Sequence, residues 1–253
     1  MDYLKGKIAV VVGGTQGIGR AIALGLAEAG ANVIASSRSV EGVAEVAAEL
    51  ESRGSKTLRL VSDVADRHSL QTLHDAVIAE FGQIDILVNS AGITQRIPTL
   101  DCPEEIWNNI MDVNLNGTLR ACQIFGKSML ARGAGRIINI ASLSTFVAFR
   151  DVAAYGASKA AVGALTRSLA VEWSASGVLV NAIAPGIFPT SLNRNILDSP
   201  RGQELLQRVP MQRFGLVEEL VSTAVYLASD ASSYTTGQII IVDGGQLASG
   251  VNQ

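Results

Sequence analysis

Tyr155 and Lys159 stand four residues apart in Tyr155-Gly156-Ala157-Ser158-Lys159, at the start of a stretch with helical periodicity, so their side chains share one face. A free tyrosine, with a pKa near ~10, is a poor base at neutral pH. An ammonium about 5 Å away at an effective dielectric of ~20 stabilises the phenolate by roughly 3 kcal/mol, lowering that pKa by about two. The pair reads as a group able to give and take a proton. Reduction of a carbonyl needs such a donor at oxygen as hydride reaches carbon, and oxidation of an alcohol needs the reverse.

A second set of residues suits a phosphate-bearing cofactor. The apolar run Ile8–Val12 leads straight into Gly13-Gly14-Thr15-Gln16-Gly17-Ile18-Gly19-Arg20, and an Ala/Leu-rich helical stretch follows. Glycines let backbone approach a pyrophosphate, whose charge sits where the helix presents unpaired N–H groups. Val33-Ile34-Ala35-Ser36-Ser37-Arg38 ends a second apolar run with Ser37 where an acid would hold the ribose 2′-OH of NAD. Arg38 beside it presents a guanidinium fork matched to a 2′-phosphate. NADP(H) is therefore favoured over NAD(H), although Gln16 supplies no second basic residue.

The elements that must position these groups alternate along the chain. Apolar runs at Ile8–Val12, Val33–Ala35, Leu58–Val61, Ile84–Val88, Arg136–Ile140, Val178–Ile183 and Gln238–Val242 read as seven strands. Helical spacing covers Ala21–Ala29, Val40–Arg53, Asp66–Phe81, Glu104–Ala131, Ala153–Ala175 and Val217–Ala228. Most of the short runs are apolar throughout, as in strands buried on both faces. The prediction is one doubly wound α/β (Rossmann) domain over residues 1–253, with a mostly parallel seven-stranded sheet. Residues 187–215 break the rhythm and read as a substrate lid, in which Asn193, Arg194, Asn195 and Gln203 mix with Phe188, Leu192 and Ile196.

Composition narrows the class further. The 253 residues carry a net charge of −3, which argues against a general nucleic-acid or anionic-membrane surface. No apolar run approaches the ~18–20 residues of a membrane span, and Met1–Lys7 lacks the apolar core of a signal peptide. Cys102 and Cys122 fit reduced thiols, so a cytoplasmic protein is expected. His68 and His74 read as solvated helix residues, and Trp107 and Trp173 as packing residues. No His, Asp or Glu grouping has metal-ligand spacing, and Ser142 lacks the GxSxG elbow of a hydrolase.

The glycine spacing at 13, 17 and 19 resembles the short-chain dehydrogenase/reductase family, with Val12 where that family usually has Thr. Ser142 closes the strand before Tyr155, and Asn114 lies in Asp112-Val113-Asn114-Leu115-Asn116-Gly117. The order and spacing of Asn114, Ser142, Tyr155 and Lys159 match the family's catalytic tetrad. The resemblance implies Tyr155 as acid and base, Lys159 as its activator, Ser142 as holder of the substrate oxygen and Asn114 as part of a water relay. It implies cofactor contacts from Gly13, Thr15, Gln16, Gly17, Ile18, Gly19, Ser37 and Arg38, and from Asp63 and Val64 at the adenine. Asn89, Ala91 and Gly92 of Asn89-Ser90-Ala91-Gly92, together with Tyr155, Lys159, Pro185, Gly186, Ile187 and Thr190, complete that set.

Arg96 and Arg150 flank the expected pocket and, with Ser142 and Tyr155, are the candidate substrate-binding residues, since arginine suits a carboxylate. Gly92-Ile93-Thr94-Gln95-Arg96 and Ala184-Pro185-Gly186-Ile187-Phe188-Pro189-Thr190 look most like the gluconate 5-dehydrogenase branch, which implies a sugar or sugar acid. The 3-oxoacyl-[acyl carrier protein] reductases share every catalytic motif and are the alternative. A non-catalytic nucleotide-binding regulator would be expected to lose Tyr155 or Lys159. Helices 104–131 and 153–175 are richer in apolar residues than one-sided packing needs, and in the family they pair across a two-fold axis, which implies a homotetramer.

Overall fold

The computed structural model describes residues 3–190, 193, 197 and 199–249. Six parallel strands form one sheet: β1 (Ile8–Val12), β2 (Asn32–Ser36), β3 (Ile86–Asn89), β4 (Gly135–Ile140), β5 (Val178–Pro185) and β6 (Ile239–Val242). Their order is β2-β1-β3-β4-β5-β6. The chain passes from β2 back across β1 to β3, so the winding reverses beside β1 and opens a crevice at the carboxyl ends of β1 and β3. Helices α1 (Gly17–Glu28), α2 (Val40–Ser52), α3 (Arg67–Phe81), α4 (Glu104–Met111), α5 (Gly117–Arg132) and α6 (Ala153–Trp173) connect the strands, with α4 packed on α6, followed by α7 (Pro200–Gln207) and α8 (Val221–Ala228).

Two apolar cores follow from strands buried on both faces. Val11, Val33, Ile86 and Ile138 pack with Ile22, Leu26 and Leu227 on one side, and Val10, Ile34, Leu87 and Val180 pack with Leu70, Val77 and Phe125 on the other. Full burial of a side chain such as Phe125 stabilises the fold by about 2–3 kcal/mol. Local signals set the helix starts. Ser39 Oγ accepts from Gly42 N at 3.0 Å before α2, and Asp66 Oδ1 accepts from His68 N at 2.8 Å before α3.

The structure corrects three expectations. Leu58–Val61 is not a strand, so the sheet has six strands among the described residues rather than seven. Side chains take the bonds a ladder with β2 would need: Val33 N donates to Ser55 Oγ at 2.9 Å, and Ser36 Oγ donates to Leu60 O at 2.6 Å. The helix expected over 104–131 is split by a wider π-type turn at Asp112–Asn116. Finally, the stretch read as an irregular lid contains α7, started by Pro200, whose fixed φ and missing N–H suit a first helical turn. Leu192, Arg194, Asn195 and Ile196 of that lid lie outside the described residues.

Candidate active site

A cleft of about 540 Å³ runs along the carboxyl ends of the strands at the winding reversal. At one end lie Gly13, Gln16, Gly17, Ile18 and Gly19 of the β1–α1 turn, with Ser37, Arg38, Asp63 and Val64 beyond them. Gly13 has φ +80°, and a Cβ there would stand 2.5 Å from Ala91 N. A Cβ at Gly19 would overlap the Gly13 carbonyl. Only glycines allow the turn to close this tightly beneath α1. Gln16, just before α1, makes no side-chain capping bond, and the N–H groups at a helix start suit an anion. Thr15 Oγ1 donates to Ser37 Oγ at 2.8 Å, bracing the turn against the end of β2. These backbone and side-chain features fit a dinucleotide with its pyrophosphate over α1 and its adenosine toward Arg38.

The other end of the cleft holds Ser142, Tyr155 and Lys159. Ser142 follows β4, and its Oγ accepts from Ser144 N at 3.1 Å, fixing the hydroxyl at the strand end. Tyr155 and Lys159 sit on the first turns of α6. Lys159 is buried, and its Nζ donates to Ile140 O at 2.7 Å and lies 5.8 Å from the centre of the Tyr155 ring. Burial lowers the Lys159 pKa to about 8. The Tyr155 pKa is raised rather than lowered as the sequence leads one to expect, because burial disfavours the phenolate, and a hydrogen bond with Ser142 opposes that shift.

Asn114 lies in the π turn, fully buried. Its Oδ1 accepts from Ile93 N at 2.8 Å, while Nδ2 donates to Ile93 O at 2.9 Å and to Ser158 Oγ at 3.0 Å. Ser158 Oγ in turn donates to Tyr155 O at 2.7 Å. Asn114 therefore ties the segment after β3 to the helix that carries Tyr155 and Lys159. The π turn is itself anchored: Arg120 reaches Asp112 Oδ1 at 2.6 Å and Val64 O at 3.1 Å, holding the Asp112 carboxyl below its ordinary pKa. Wider helical turns of this kind recur at functional sites.

Ala91, Gly92, Pro185, Gly186 and Thr190 line the cleft, as do all the loop glycines expected there. Thr15, Asn89 and Ile187 do not. Asn89 points beneath the floor, where its Nδ2 donates to Asn139 Oδ1 at 2.9 Å. Arg96 and Arg150 do not line the cleft either. Arg96 Nη2 pairs with Asp151 Oδ2 at 2.9 Å, and Arg150 is exposed with its Nε 3.6 Å from Asp151 Oδ1. Phe188 and Asn193 of the expected lid line the cleft, and Ile93 and Val113 line it without being among the expected site residues. Ser158 was legible in principle, one turn from Tyr155 on the same helix, whereas the Ile93 partnership of Asn114 spans 21 residues and leaves no local signal.

The chain belongs to the short-chain dehydrogenase/reductase family: the family model adh_short_C2, described as enoyl-(acyl carrier protein) reductase, matches residues 12–246. It is thus an oxidoreductase of the class that acts on CH–OH groups. It is similar to a D-threitol dehydrogenase of Mycolicibacterium smegmatis, 42% identical over 96% of this chain and 93% of that protein. It is also similar to a 2-dehydro-3-deoxy-D-gluconate 5-dehydrogenase of Bacillus subtilis, 44% identical over 97% and 96%. A crystal structure of a gluconate 5-dehydrogenase from Burkholderia cenocepacia, in complex with NADP and tartrate, superposes with a TM-score of 0.95 at 38% identity, over 98% of each chain.

Proposed function

We propose that this protein is an NADP(H)-dependent oxidoreductase that interconverts a secondary alcohol and a ketone on a small polyhydroxylated substrate, a sugar or sugar acid. The observation that carries the reading is one cleft with Ser142, Tyr155 and Lys159 at one end and Ser37 and Arg38 at the other. The nicotinamide dinucleotide, when bound, supplies or accepts the hydride at the substrate carbon. Tyr155 gives its phenolic proton to the carbonyl oxygen in reduction and takes it from the hydroxyl in oxidation. Ser142 holds that oxygen by a hydrogen bond, and Lys159, held by Ile140 O, stabilises the phenolate. Asn114 keeps the wall at Ile93 aligned with α6.

The similarity to enzymes named for threitol and for a deoxygluconate supports a polyol or sugar-acid substrate over an acyl thioester. We read residues 1–253 as one domain whose 187–215 segment closes over the substrate, supported by Phe188, Thr190 and Asn193 in the cleft lining. A cytoplasmic homotetramer completes the reading. Exposed Trp107 and Val171, on the two helices expected to pair, support it, and light scattering near four times 26.5 kDa is the expected result. The decisive experiment follows NADPH oxidation with keto-sugar acids, ketoses and β-ketoacyl thioesters, in wild type and Tyr155→Phe. Reduction of a keto-sugar, lost by about 10²–10⁴-fold in the variant with cofactor binding retained, is expected. Efficient reduction of acetoacetyl thioesters with none of the keto-sugars would replace this reading with the acyl-carrier alternative.

A further inference from the structure

Asp151 is a non-glycine residue in the left-handed region, with φ +68°, four positions before Tyr155. Such a conformation is strained for most side chains and persists where the surroundings hold it. Three contacts meet on it. Arg96 donates to Asp151 Oδ2 through Nε at 3.2 Å and Nη2 at 2.9 Å. The Asp151 carbonyl accepts from Ile97 N at 2.8 Å. The Arg150 guanidinium lies 3.6 Å from the other carboxylate oxygen. One residue thus fastens the segment after β3 to the loop that enters α6.

Those two segments separate two spaces. Ile93, Thr94 and Tyr155 line the cofactor and substrate cleft. The next residues along each segment, Gln95 and Ile97 on one and Asp151, Ala153 and Ala154 on the other, line a second cavity of about 400 Å³ that Trp107 also lines from α4. Joined at Asp151, the segments form a wall. Parted, they would let the cleft run into the second cavity.

We propose that Asp151 is a positioning residue that determines substrate size: its carboxylate and carbonyl latch residues 96 and 97 to the α6 entrance and keep the catalytic cleft short. This rests on the reading of Tyr155 as the acid and base for a small polyhydroxylated substrate. It also gives Arg96 a use other than a substrate carboxylate, since its guanidinium is already bonded to Asp151. A short polyol fits the closed space, and a bulkier alcohol needs the space behind the wall.

The test compares wild type with Asp151→Gly, Asp151→Ala and Asp151→Asn, using threitol and 1-phenylethanol as substrates with NADP⁺. Glycine relieves the backbone strain and keeps the carbonyl but removes the carboxylate that holds Arg96, and asparagine tolerates the left-handed region while keeping an oxygen for Arg96. Asp151→Gly and Asp151→Ala are expected to raise KM for threitol by about tenfold or more with little change in kcat, and to raise kcat/KM for 1-phenylethanol. Cofactor affinity should not move, and Asp151→Asn should recover most of the wild-type selectivity. Asp151→Gly matching wild type on both substrates would overturn the proposal. Amide hydrogen exchange supplies a readout independent of turnover. Residues 93–99 should exchange faster in Asp151→Gly than in wild type or Asp151→Asn, and unchanged exchange would overturn the latch. Wild type inactive toward every alcohol and ketone would count against the proposed function, while the exchange experiment would still decide the role of Asp151.

Discussion

Lys159 Nζ lies 5.8 Å from the centre of the Tyr155 ring and gives its 2.7 Å hydrogen bond to Ile140 O, so the ammonium is tied to β4 rather than to the phenol. Burial acts on the two groups in opposite senses, raising the phenol and lowering the amine to about 8. Both shifts favour the neutral forms. A phenol kept protonated beside an amine close to neutrality is ready to donate to a carbonyl oxygen, and the ammonium form then stabilises the phenolate left behind.

The lysine should also leave a signature in stability. Its pKa is about 8 when folded against an ordinary value of 10.5. Between those values the unfolded chain holds the extra proton, so stability rises with pH from about 8 to 10.5 and the penalty of the buried ammonium is complete below 8. That penalty is of order 3 kcal/mol. Lys159→Met removes it but leaves Ile140 O without its donor, a loss of about 1–3 kcal/mol. The variant should melt a few degrees above wild type at pH 7, with the gap shrinking and then reversing by pH 10. Thermal melts across that range check it, and a pH-independent gap would refute the assignment.

Asn114 carries both bonds to the Ile93 backbone and a third to Ser158. Asn114→Ala would strand a buried N–H, a carbonyl and a hydroxyl partner. The expected destabilisation is about 2–4 kcal/mol, with turnover falling as the Ile93 wall loosens. Urea unfolding followed by Trp107 and Trp173 fluorescence measures the first effect. A change within experimental scatter would mean that Ile93 holds its place by other contacts.

The β1–turn–α1 unit was legible because each level agrees: an apolar run, glycines where backbone must pass, then an Ala/Leu-rich helix. Leu58–Val61 was misread because a strand needs a partner's free ladder groups as well as apolar residues, and Ser36 and Ser55 hydroxyls take those bonds. The π turn was hidden because one extra residue barely disturbs apolar periodicity across a 28-residue stretch. Arg96 looked available because its partner, Asp151, stands 55 residues away along the chain. Chemistry carried by neighbours in sequence was readable, and chemistry set by tertiary partners was not.

Arg38 offers the sharpest test of the cofactor. It is exposed at the rim of the cleft beside Ser37, and among the described residues no ion pair engages its guanidinium. Ser37 Oγ, fixed by Thr15 Oγ1 at 2.8 Å, accepts from Ser39 N at 3.2 Å, so the end of β2 is held in place before any ligand arrives. A ribose 2′-phosphate would meet a positive fork there, whereas a 2′-hydroxyl would gain little from it. Arg38→Asp replaces attraction by repulsion toward the phosphate and provides an acceptor for the hydroxyl. NADPH binding should weaken by about 10–100-fold and NADH binding by less than about threefold, as read by titration of cofactor fluorescence. Because the guanidinium is exposed, wild-type affinity for NADPH should also fall with added salt more steeply than that of the variant. Equal weakening of both cofactors, or wild-type turnover with NADH as efficient as with NADPH, would refute the NADP assignment.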